Sequence, residues 1–279
     1  MAIWANHAHV FPAAARPAGT VEALLQLMDG CGIERAVAFA PFSYQIKELG
    51  IDANAWVADE VRQRGDRLVA FGTVDVHGGD IARQMRQIGD LGMPGIKLHP
   101  AAQQFDILSA PLLEVYAAAQ AMGLFVVFHT GVHAHRLRDY RLVDFDEIAH
   151  HFPTLRFSLE HVGGYAFFRE AVGVIQNNAH RKHPGGQGTV YAGLTTVFSP
   201  KHRHWYMDRQ TMQDLVALVG EDRIIFGLDF PYNSLDDTRL ALQTIQSLDV
   251  SASAKDKILG GTLRTLLTTA REPVSAAGV

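Results

Sequence analysis

Ile3-Trp4-Ala5-Asn6-His7-Ala8-His9 opens the chain and decides how the rest of it is read. The run is short, apolar at its start, and ends in a His-x-His. In an extended strand residues i and i+2 project from the same face, so this spacing sets two imidazoles side by side. A barrel strand supplies two nitrogens to one metal ion in this way. Among 14 histidines a lone His-x-His carries little weight. It gains weight from what the later strand-like runs end in.

The first run, 3–10, is followed by seven more rich in Val, Ile, Leu or Phe, at 35–41, 68–76, 95–100, 124–130, 156–162, 189–197 and 223–229. Between them lie amphipathic helical stretches at 20–31, 53–64, 81–91, 110–122, 212–220 and 236–248, and a last one at 254–269. Ser109-Ala110-Pro111 reads as a cap followed by a first-turn proline. Eight β-α units in succession imply a parallel sheet with right-handed crossovers. The expected fold is α/β, a (β/α)8 TIM barrel with 254–269 as a C-terminal closing helix. No linker or leftover stretch argues for a second domain, so residues 1–279 are read as one. The Gly/His/Pro-rich stretch 177–188 then falls on the barrel face away from the active site. His180 and His183 there are read as solvated loop residues.

The C-terminal strand ends are where a barrel places its chemistry. Strand one gives His7 and His9. Strand four, Gly95-Ile96-Lys97-Leu98-His99-Pro100, puts Lys97 and His99 on one face. Strand five ends in His129, strand six in His161 and strand eight in Asp229. A single strand-end histidine is more often a hydrogen-bonded structural residue, and an aspartate there is often a helix cap. Such residues at the same end of five strands are better explained by a divalent ion. Mixed nitrogen and oxygen ligation suits Zn2+, with Mn2+, Fe2+ or Co2+ as substitutes.

Bulk properties narrow the partners. A formal charge of −4 gives no electrostatic case for nucleic acid or an anionic membrane. No run approaches the ~18 apolar residues of a spanning helix. Cys31 is the sole cysteine, which excludes intrachain disulfides. The start of the chain does not read as a signal peptide, so a cytoplasmic enzyme is expected, with a homo-oligomer allowed.

The motifs NHAHV (6–10), GIKLHP (95–100), FHTG (128–131), EHVGG (160–164), FGLDFPY (226–232) and ILGGTLRTLL (258–267) span nearly the whole chain. Together they resemble the amidohydrolase superfamily, in the branch that holds small-molecule hydrolases, lactonases and aminocarboxymuconate-semialdehyde-type decarboxylases. The resemblance implies that His7, His9, His129 and Asp229 are metal ligands and that His161 polarises substrate or stabilises developing charge. Thr262 stands where the family usually has an asparagine. Some superfamily relatives carboxylate a strand-four lysine to bridge two metals. Here one ion is the simpler expectation, with Lys97 paired to Asp229 or to a substrate anion, and His99 contacting substrate or supporting the rim.

The loops after strands five (132–141) and seven (198–206) are basic and aromatic, which suits an anionic or cyclic small molecule. Arg136 and Arg203 are the tentative contacts; His133 and His135 are not read as a second metal site. The expected activity is metal-dependent hydrolysis, with Asp229 as proton acceptor for the water and His161 at the oxyanion. The rival is a metal-dependent non-oxidative decarboxylase of an aromatic or muconate-type acid, with His161 as the acid that protonates carbon.

Overall fold

The computed structural model describes residues 2–180 and 188–268. Among these, eight parallel strands form one sheet: β1 (Ile3–His9), β2 (Ile33–Phe39), β3 (Leu68–Phe71), β4 (Gly95–Leu98), β5 (Phe125–His129), β6 (Arg156–Glu160), β7 (Val190–Leu194) and β8 (Ile224–Phe230). Their order, β3-β2-β1-β8-β7-β6-β5-β4, is that of a barrel unrolled between β3 and β4. The seam is closed by Gly72, just past β3: its N–H donates to Gly95 O at 3.0 Å, and Lys97 N–H donates to Gly72 O at 2.8 Å. The fold is thus the expected (β/α)8 TIM barrel.

The helices that alternate with these strands are α1 (Val21–Cys31), α2 (Ala53–Arg62), α3 (Ile81–Asp90), α4 (Ala110–Ala121), α5 (Asp144–His151), α6 (Gly164–His180), α7 (Arg209–Val219) and α8 (Leu235–Ser247). Short polar side chains set their starts. Thr20, Asp52, Asp80 and Asp208 accept the N–H three residues on, and Ser234 and Asp237 form a reciprocal capping box. Ser109 caps α4 in extended backbone, but its hydroxyl makes no capping bond. His180 ends α6, whereas His183 lies outside the described residues.

The closing helix is broken in three: α9 (Ala252–Asp256), a π turn (Lys257–Gly261) and α10 (Thr262–Thr268). The break follows from packing. A Cβ on Gly260 would lie 2.5 Å from Trp4 N, so this turn sits directly against the start of β1. Leu263 and Leu266 of α10 join Trp4, Phe39, Phe71, Phe125, Val127 and Ile225 in a barrel-interior cluster. Inward residues are therefore layered, from an apolar plug at the N-terminal end of the strands to polar groups at the C-terminal end. On β5 the inward series is Phe125, Val127, His129; on β8 it is Ile225, Gly227, Asp229.

Candidate metal centre

The structure brings His7, His9 and Asp229 together as a group of three buried donors. His7 Nε2 and His9 Nε2 are 3.1 Å apart, and Asp229 Oδ1 lies 3.5 and 3.7 Å from them. Ligands ~2.0–2.1 Å from a tetrahedral ion are separated by about 3.3 Å, so these three atoms have the spacing of one face of its shell. Strand alternation alone does not give this convergence. The pairing of β1 shifts register between Ala5 and Ala8, and His7 has φ 65°.

Backbone strain collects at the same end of the barrel. His7, His161 (φ 62°), Val162 (47°), Thr196 (60°) and Asp229 (54°) are five of the eight non-glycine residues with positive φ among the described ones. Each costs on the order of 1–3 kcal/mol and persists only where its surroundings hold it. Here the surroundings are hydrogen bonds: Thr196 Oγ1 donates to Asp229 Oδ2 at 2.5 Å, and Asn233 Nδ2 donates to Thr196 Oγ1 at 3.2 Å.

His7 Nδ1 bonds Glu160 Oε2 at 2.8 Å. Glu160 Oε2 also accepts from Thr195 Oγ1 at 2.6 Å, while Oε1 accepts from Ser158 Oγ at 2.6 Å and Asn6 Nδ2 at 3.0 Å. None of Glu160, Ser158, Thr195 or Thr196 was singled out by the sequence reading. Ser158 and Glu160 carried a signal nonetheless, as polar residues two apart on a strand that a barrel buries on both faces.

His129 and His161 form a second pair. His161 Nε2 lies 3.2 Å from His129 Nδ1, with His161 Nδ1 on Thr195 O at 2.7 Å and His129 Nε2 on Gly131 O at 2.6 Å. Both terminal carbonyls only accept, so neutral rings spend their two protons on the ends. Two lone pairs then face each other across the 3.2 Å gap. A third proton is opposed by burial, which lowers the pKa of both rings, that of His161 to about 3. Burial likewise holds His7, His9 and His99 well below the ordinary histidine range.

Asp229 is pushed up to about 6, chiefly by burial and against the Thr196 hydrogen bond. Lys97 is wholly buried; burial lowers it to about 8 although Glu160 and Asp229 pull it up. Its Nζ has no hydrogen-bond partner, so the expected pairing with Asp229 is not made. His99 stacks on His129 at 3.8 Å and 11°, its Nδ1 accepting from Ala102 N–H.

The flanking loops supply aromatic cover. Trp205 stacks on His161 at 4.4 Å and is latched by its Nε1–H to Val132 O at 2.9 Å. His133 stacks on Trp205, and Tyr232 meets His9 edge-on at 5.7 Å. Arg136 is turned to Asp139 at 3.2 Å on the rim of a cavity of about 620 Å³, and Arg203 is exposed. Thr262 is remote from this mouth: its hydroxyl bonds Glu221 O, just before the start of β8.

A parallel barrel that gathers imidazoles and a carboxylate at the strand C-termini can hold a divalent ion there. The amidohydrolase family model Amidohydro_2 matches residues 6–267, and the chain belongs to that family. Solved structures agree in fold. An uncharacterised TIM-barrel protein, Bb4693, from Bordetella bronchiseptica superposes with a TM-score of 0.75 at 19% identity, covering 96% of this chain and 98% of that one. A dihydroxybenzoic acid decarboxylase from a Polaromonas species, with bound manganese and the inhibitor 2-nitroresorcinol, gives 0.68 at 17%, with 97% and 98% covered. A probable 2-pyrone-4,6-dicarboxylic acid hydrolase from Acinetobacter baumannii, with citric acid bound, gives 0.67 at 15%, with 96% and 99% covered. Among the described residues no helix is long and apolar enough to cross a membrane.

Proposed function

We propose that this chain is a metal-dependent hydrolase of a small anionic or cyclic molecule, its ion held by His7, His9 and Asp229. The observation that carries the reading is the 3.1–3.7 Å triangle of His7 Nε2, His9 Nε2 and Asp229 Oδ1. With His7 Nε2 and Asp229 Oδ1 both accepting, a cation that joins them offsets the cost of their burial. Zinc suits this donor set, and manganese, iron or cobalt can replace it. A divalent ion there supplies Lewis acidity, acidifying water and polarising a substrate oxygen.

The protein's own groups handle the proton. Raised to about 6 by burial without an ion, Asp229 is a carboxylate at neutral pH and takes a proton from attacking water, returning it to a leaving group. Thr196 keeps Oδ2 engaged, leaving Oδ1 toward His7 and His9. His161 has its Nδ1 proton committed to Thr195 O and its Nε2 facing His129, so it has no proton to offer carbon. This withdraws both roles expected of His161, oxyanion donor and acid to carbon, and leaves Asp229 as the proton carrier on which the hydrolytic reading rests. Trp205 covers His161 and keeps water from its face.

A second reading concerns the number of ions. The facing lone pairs of His129 and His161, 3.2 Å apart, favour a second cation between those two rings. The alternative is that His129 leaves Gly131 O and joins the first ion as its fourth ligand. Elemental analysis separates these arrangements as two ions per chain or one. Hydrolysis of lactones, esters or amides that survives both metal stripping and the His7→Ala and His9→Ala changes would sink the main reading.

A further inference from the structure

Taking His7, His9 and Asp229 as the ion site proposed above, we infer that Glu160 is a positioning residue that holds His7 as its Nδ1–H tautomer and so aims the Nε2 lone pair at the ion. Glu160 is fully buried. Its two oxygens face four groups: Asn6 Nδ2 and Ser158 Oγ on Oε1, and His7 Nδ1 and Thr195 Oγ1 on Oε2. Asn6 Nδ2 can only donate and the two hydroxyls donate as well, so the carboxylate is arranged to accept from all four. For His7 this places the proton on Nδ1. With its proton on Nδ1, the ring turns Nε2 toward His9 Nε2 at 3.1 Å and Asp229 Oδ1 at 3.5 Å.

The carboxylate cannot easily move. Its donors come from β1, from β6 and from the residue following β7, so three strands brace it across the barrel interior. Gly193 on β7 makes the room: a Cβ there would lie 2.4 Å from Glu160 Cδ and from both carboxylate oxygens. Lys97 is the buried cation whose field reaches both Glu160 and Asp229, and it offsets their charge without bonding either. A carboxylate behind a metal-binding imidazole fixes its orientation and raises its basicity, and loss of such a partner lowers metal affinity roughly 10–100-fold. A carboxylate that merely ties strands together would change stability and leave affinity alone.

The test uses the full chain, stripped of metal, with Glu160→Gln and Gly193→Ala beside the parent. Nitrogen-15 NMR of labelled histidines reports the His7 tautomer in the stripped protein. Competition with a chromophoric chelator gives the Zn2+ dissociation constant, and thermal unfolding shows that each variant is folded. The expected result is Nδ1–H at His7 in the parent, with Zn2+ binding weakened roughly 10–100-fold in both variants. A folded Glu160→Gln protein that binds Zn2+ as the parent does overturns the inference, as does a parent His7 protonated on Nε2. Should Glu160→Gln fail to fold, the Gly193→Ala affinity and the parent tautomer decide. A parent that binds no Zn2+ while His7 shows the Nδ1–H tautomer overturns the ion site itself and, with it, the role given to Glu160.

Discussion

The Nε2 atoms of His7 and His9 stand 3.1 Å apart and share Asp229 Oδ1 as a common neighbour. On the proposed reading, removing either a nitrogen or the carboxylate from this triangle removes one of the ion's few ligands. His9→Ala and Asp229→Asn are each expected to lower divalent-ion affinity by at least about 100-fold. The stripped proteins should stay folded, since His9→Ala removes a buried polar ring and Asp229→Asn a buried charge. Elemental analysis after dialysis, paired with thermal unfolding, checks both halves.

Thr196 Oγ1 donates to Asp229 Oδ2 at 2.5 Å and holds the carboxyl pKa below where burial alone would put it. Thr196→Val keeps the shape and removes the donor. Its loss is expected to move the acid limb of the kcat/KM profile to higher pH, because Asp229 must be ionised to take a proton. Activity on the plateau should fall less than at pH 6. An acid limb that stays in place, or shifts to lower pH, contradicts this role for Asp229.

The stripped protein should lose stability as the pH falls from 6.5. His7, His9, His99, His129 and His161 all have folded pKa values below 6.5, burial being the largest cause for each, with His161 at about 3. In that window the unfolded chain binds more protons than the folded one, so the stability present above 6.5 is lost on acidification. Asp229, raised to about 6, works in the opposite direction between 3.8 and about 6, since there the folded state holds the extra proton. Five imidazoles outweigh one carboxyl. Urea midpoints measured from pH 7 to about 4.5 should therefore decrease steadily; a flat or rising series would contradict the assignment of neutral, buried rings.

Much of the architecture was legible because barrel strands and their helices differ in period and in punctuation. All eight strands fall within two residues of their expected starts, and Asp229 lies at the mouth with the His-x-His pair. Strand ends were read too long where loop residues stay apolar: β3 stops at Phe71 rather than at residue 76, once Gly72 turns to close the seam. The broken closing helix could not be read either, since it depends on how closely Gly260 meets Trp4 N. Within the site, the sequence shows that His129 ends a strand but not which way its ring faces. That direction is set by Gly131 O and His161, contacts made only after folding. Glu160 was passed over because a polar residue alternating with apolar ones usually marks a solvent face, and a barrel has none on its inner wall.

The most direct test of the central claim is to titrate metal back into stripped protein while following hydrolysis of a panel of lactones, esters and amides. The account predicts no activity in the stripped protein, recovery that saturates as the ion fills the His7–His9–Asp229 triangle, and no recovery in His9→Ala. Turnover by the stripped protein equal to that of the reloaded one, or full recovery in His9→Ala, would contradict it.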